Sequence, residues 1–73
     1  MDYPKITMEA ARVNAHMTQR KAAGCLGISV ETLRNYEHGN TLPDVDMATA
    51  MAELYKFPYD LISFSPRTSL KLA

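Results

Sequence analysis

The 73 residues include eight Lys/Arg and eight Asp/Glu, so the chain is formally neutral, and 47% of it is hydrophobic. That length sets one small domain near the lower limit for a self-supporting core, and the apolar content excludes a disordered chain. One cysteine excludes an internal disulfide, while Cys25, His16 and His38 are too few and too scattered for a four-ligand zinc site. With no apolar run of membrane-spanning length and no basic-then-apolar leader, the expectation is a cytoplasmic protein with no membrane partner.

In chain order, Met1 to Lys5 is expected to be a loose arm, because Pro4 discourages helix. Thr7 caps a first helix, Met8 to Ala15, with Ile6 placed to staple onto Ala11. Met8, Ala11 and Ala15 form a narrow buried stripe whose small side chains let another helix come close. Arg12 lies near the inward side and has two readings. One is a solvated cation. The other is a two-bond pair with Glu37 that ties the first helix to the third.

The segment Met17 to Asn40, MTQRKAAGCLGISVETLRNYEHGN, reads as two short helices around a tight turn. Thr18 caps Gln19 to Leu26, which buries Ala22, Ala23 and Leu26. Gly27 supplies the left-handed residue that a sharp change of direction needs. Ser29 caps the next helix, Val30 to His38, with Leu33 and Tyr36 facing inward and Gly39 as the stop. Helix, glycine-containing turn, helix is the helix-turn-helix unit, whose second helix enters the DNA major groove. Lys21 stands where Glu would complete a capping box and suit the helix dipole. Beside Arg20 it suits a helix end that faces phosphates, and it is equally readable as a tolerated surface lysine. Gly24 in mid-helix costs roughly 1 kcal/mol against Ala, with close packing or simple tolerance as its explanation. Cys25, next to the Ala22/Leu26 stripe, reads as a half-buried small side chain, since no base or resolving cysteine is near it in the sequence.

After the connector Asn40 to Pro43, Asp44 caps a fourth helix, Val45 to Tyr55, with Asp46 favourable in its first turn. Met47, Ala48, Met51, Leu54 and Tyr55 make a core stripe at helical spacing. Pro58 breaks the chain, and Tyr59 to Phe64 is expected to form a fifth helix ended by Pro66. The expected architecture is all-α, a compact bundle of five short helices. It forms one domain over residues 1–73, with its core at about 7–64 and a loosely attached arm (1–5) and tail (66–73).

The pattern resembles the Cro and phage-repressor family of XRE-type helix-turn-helix domains. Its carriers are Ala11-Arg12, Met17-Thr18-Gln19, Ala22-Ala23, Leu26-Gly27-Ile28-Ser29, Leu33, Tyr36-Glu37, Gly39, Pro43 and the Leu54-Tyr55 to Leu61 segment. His16 and Lys56 depart from it, standing where the family often has Gly; histidine is among the residues that tolerate left-handed backbone. The resemblance implies a compact bundle of five short helices that binds operator DNA in the cytoplasm, commonly as a homodimer. It implies a phosphate contact at Gln19, a sugar-phosphate contact at Asn40, and base reading at Val30, Glu31, Arg34 and Asn35, with Ser29 or Thr32 near the backbone. The Arg12–Glu37 pair also looks like a family feature.

Side-chain chemistry fits these roles. Asn35 suits adenine, Arg34 suits guanine or phosphate, Val30 suits a thymine methyl, and Glu31 accepts only from cytosine's amino group. Arg20, Lys21 and Arg34 make the two-helix unit locally basic, while Asp44, Asp46, Glu53 and Asp60 hold the compensating charge. The leading expectation is a sequence-specific transcription regulator of phage or prophage Cro-repressor type, bound to double-stranded operator DNA as a homodimer. The dimer surface is expected around Phe57, Leu61, Phe64 and Leu70. The alternative is an antirepressor or modulator that uses the same fold to bind a partner repressor protein; zero net charge and Glu31 on the reading face motivate it. An enzyme is not expected, since no nucleophile sits with a base and no phosphate-cradling glycine loop is present. No cofactor, metal or small-molecule substrate is expected either.

Overall fold

The computed structural model describes residues 5–64. A short strand β1 (Ile6–Thr7) leads into four helices, α1 (Met8–Asn14), α2 (Gln19–Leu26), α3 (Val30–His38) and α4 (Val45–Tyr55). A single 3-10 turn, Tyr59–Leu61, and a second strand β2 (Ile62–Ser63) follow.

Each helix begins where a side chain can satisfy one of its orphan amides. Thr7 accepts from the Ala10 amide at 3.0 Å, Thr18 from Lys21 at 3.0 Å, Ser29 from Thr32 at 3.0 Å and Asp44 from Met47 at 2.8 Å. The helix ends are left-handed: Gly27 has φ 73°, Gly39 φ 81° and Lys56 φ 55°, and His16, just past α1, has φ 61°. Two of these four are side-chain-bearing residues in a conformation that costs them roughly 1–2 kcal/mol. In α1 the last turn closes one residue earlier than expected, with Ala15 as its C-cap.

Among the described residues four α-helices, not five, make up the bundle. Past Pro58 the chain completes only one 3-10 turn, and Ile62–Ser63 then runs extended and pairs in parallel with Ile6–Thr7, in the register Ile6–Ile62 and Thr7–Ser63. The reason lies at the other end of the chain. Residues just before the Thr7 cap must be extended, so their backbone groups need a partner that no helix supplies, and a β-branched Ile62 suits that role. Ile6, expected to staple onto Ala11, is the first residue of this ladder and packs half-buried against the core that contains Ala11.

The core joins Met8 and Ala11 of α1, Ala22 and Ala23 of α2, Leu33 of α3, Met51, Ala52 and Tyr55 of α4, and Ile62. Leu33 and Met51 are the largest fully enclosed side chains. Alanines at the α1 and α2 contacts allow close approach, so α3 is supported by short side chains and one deep leucine. Phe57 and Phe64, assigned to a dimer surface from sequence, are partly buried against this same core; Leu70 lies outside the described residues. So do most of the expected arm and the whole of the expected tail. No helix among the described residues is long and apolar enough to cross a membrane.

Candidate nucleic-acid interface

The side of α3 that faces away from Leu33 is the candidate surface. Leu33 is fully buried, whereas Glu31 and Arg34 are exposed and Thr32 and Asn35 are half-buried. Val30, one turn before Leu33 on the same face, is half-buried and packs against the core, so it meets the rim only at its edge. This division follows from helical spacing: residue 33 faces the core, and the residues one or two positions either side face away from it. At the start of α2, Arg20 and Lys21 are exposed and Gln19 is half-buried. The acidic side chains expected to balance these cations lie elsewhere, on α4 and its cap (Asp44, Asp46, Glu53) and on the 3-10 turn (Asp60). Neutrality of the whole chain therefore coexists with a cationic helix-turn-helix unit.

A buried ionic network holds α3 against its neighbours. The Arg12 Nε donates to Glu37 Oε2 at 2.8 Å and Nη2 to Oε1 at 3.3 Å, with the Glu37 side chain only 1% exposed. Of the two readings of Arg12, the pair is the one observed. Two bonds not anticipated from the sequence complete the network. Arg12 Nη1 donates to the Met17 carbonyl at 2.8 Å, and Gln19 Nε2 donates to Glu37 Oε1 at 2.9 Å. One carboxylate at the end of α3 thus gathers α1, the α1–α2 turn and the first residue of α2. The hydrogen bond to Glu37 holds the Arg12 guanidinium above its ordinary pKa range, with burial opposing and Glu37's negative charge reinforcing the shift. Tyr55 is electrostatically coupled to both partners, and its hydroxyl finds no hydrogen-bond partner among the described residues. Burial, with a smaller contribution from Glu37's charge, pushes its pKa up to about 12.

Two further contacts order the rim itself. The Ser29 hydroxyl, besides capping α3, donates to the Thr32 hydroxyl at 2.9 Å. At the other end, the Asn40 side-chain amide donates to Asn35 Oδ1 at 3.3 Å. Serine and threonine three residues apart were a readable signal for the first. The second depends on the left-handed turn at Gly39, and no spacing rule announces it. Cys25 is exposed rather than half-buried. At 100° per residue it falls roughly 110° from the centre of the stripe at Ala22, Ala23 and Leu26, on the flank of α2. Gly24 shows no close packing: a Cβ built there meets nothing within 4 Å.

These features define a small helix-turn-helix domain with a polar, outward-facing second helix. Residues 8–62 match the helix-turn-helix family, spanning α1 to the first residue of β2. The chain belongs to this family, in its XRE or Cro-repressor form, whose members are DNA-binding regulators. No curated protein and no solved structure matches it.

Proposed function

We propose that the protein is a transcription regulator of the kind phages and prophages use, placing α3 in the major groove of operator DNA as one half of a homodimer. The observation that carries this reading is the exposed, groove-compatible face of α3 backed by buried Leu33 and fixed by the Arg12–Glu37–Gln19 network. Val30, Glu31, Arg34 and Asn35 read base edges. Gln19, Arg20 and Lys21 at the start of α2, with Ser29, Thr32 and Asn40 around α3, meet the phosphate backbone. Four reading side chains on one module discriminate weakly, so useful specificity requires two copies on half-sites about 34 Å apart.

The test is a titration of duplex DNA, selected from a randomised pool, at several salt concentrations. Arg20 and Lys21 on each of two copies supply about four phosphate-neutralising charges, for a slope of log K against log salt of about −3.6 and a loss of affinity on the order of 10² between about 50 and 200 mM. Lys21→Ala reduces that slope by about one per copy, whereas Arg34→Ala relaxes base preference at one position of each half-site. A chain that enriches no sequence at low salt refutes the proposal. The second reading, docking on a partner repressor, is favoured by the formal charge of zero and by exposed Glu31. It predicts instead that a neighbouring repressor co-purifies with the protein and is lost when α3 is altered.

A further inference from the structure

Resting on the DNA-binding reading above, we infer that Asn40 is a positioning residue that sets the hydrogen-bonding polarity of Asn35, and thereby the kind of base Asn35 reads. A side-chain carboxamide is two-ended: its oxygen accepts and its NH2 donates. An Asn on a recognition helix with both ends free pairs bidentately with adenine, accepting from N6 and donating to N7. In this protein the accepting end is engaged, since Asn40 Nδ2 donates to Asn35 Oδ1 at 3.3 Å. The position of Asn40 is itself fixed. Gly39 turns left-handed at φ 81°, the Asn40 amide donates to the Asn35 carbonyl at 2.9 Å, and the Thr41 amide approaches the same carbonyl at 3.4 Å. The turn that ends α3 therefore brings the Asn40 side chain back to Asn35, one and a half turns up the helix.

The consequence is directional. With its oxygen drawn toward Asn40, Asn35 presents its NH2 end to the groove and selects a base edge that accepts, the O6 of guanine or the O4 of thymine; N7, which adenine shares with guanine, does not discriminate between the purines. Asparagine at 40 can hold this orientation because it has a donor to give. Aspartate has none, and at the same place it must accept from the Asn35 NH2, turning the Asn35 oxygen outward toward a base that donates, through cytosine N4 or adenine N6. Exposed to water this bond is weak; once DNA excludes water from the rim, its orientation is enforced more strongly.

The experiment is selection from a randomised duplex library with the wild-type chain and with Asn35→Ala, Asn40→Ala and Asn40→Asp. The expected result has three parts. Asn35→Ala loses preference at one position of the enriched site, where the wild type favours guanine or thymine by about fivefold or more. Asn40→Ala relaxes that same position alone. Asn40→Asp shifts it to cytosine or adenine, whatever the added charge does to overall affinity. Base preference is a readout that a merely structural cap would not move, and thermal melting of each variant shows that it is folded. If Asn35→Ala changes one position but both Asn40 variants retain the wild-type preference there, or if Asn35→Ala changes none, the inference is overturned while the DNA-binding reading stands. If the wild-type chain enriches nothing, the DNA-binding reading itself has failed.

Discussion

Replacing Arg12 by Met and Glu37 by Leu, singly and together, probes what holds the recognition helix in place. Glu37 is nearly enclosed and accepts three hydrogen bonds, two from Arg12 and one from Gln19. Arg12→Met leaves that carboxylate buried with the Gln19 amide alone. Glu37→Leu leaves the guanidinium with only the Met17 carbonyl. Stranding one partner of a buried pair costs about 3–5 kcal/mol, because the remaining charge has lost both water and its counter-ion. A domain of this length has a total stability of about 4–11 kcal/mol, so either single variant sits at the edge of unfolding. The double variant strands no charge, leaving only the neutral Gln19 amide and Met17 carbonyl without their partners, and places two apolar side chains at a site lined by core residues. It is expected to be more stable than either single variant and within about 2 kcal/mol of the parent. Urea unfolding followed by circular dichroism measures all four corners of the cycle. Single variants that each cost less than about 1 kcal/mol, or a double variant whose loss is the sum of the two, would refute the network as the device that fixes α3.

Other expectations follow from local geometry. Gly24→Ala stabilises by up to about 1 kcal/mol in thermal or urea melts, because the added methyl meets nothing and the helix gains propensity. His16→Gly and Lys56→Gly each relieve a left-handed residue and raise stability by about 1 kcal/mol, partly offset by the freer unfolded chain. Tyr55 holds its proton to about pH 12 in the folded state, whereas an unfolded tyrosine releases it near 10. The unfolded chain therefore binds fewer protons in that window, so the Tyr55 contribution to stability is complete below pH 10 and is lost as pH rises toward 12. Tyr55→Phe removes this component of the alkaline loss and, with it, an unpartnered buried hydroxyl. Urea midpoints for parent and variant at pH 8, 10 and 11.5 check both effects, and an equal alkaline drop in the two would contradict the assignment.

Much of the fold was legible because its determinants are local. Thr7, Thr18, Ser29 and Asp44 each cap the helix that follows, and Gly27 and Gly39 end theirs in the left-handed turn that glycine favours. The Arg12–Glu37 pair was readable as one of two possibilities, from charge type and helical facing. The failures were non-local. Strand β2 exists because Ile62 meets Ile6 at the far end of the chain, and two residues leave no periodicity to detect. The Gln19 bond to Glu37 was likewise invisible, since it needs the start of α2 and the end of α3 brought to within hydrogen-bond distance. The reading rim was legible in composition, but the contact that orients Asn35 depends on where Gly39 sends the chain.

Function as a DNA reader requires that one face of the molecule, the rim of α3 and the start of α2, meet DNA. Amide chemical-shift changes in a two-dimensional NMR titration with a selected duplex measure that directly. The largest changes are expected on Gln19 to Lys21, on Ser29 to Asn35 and at Asn40, with α4 and the 3-10 turn nearly unmoved. Largest changes on α4 and Tyr59 to Leu61, with α3 unaffected, would contradict that expectation.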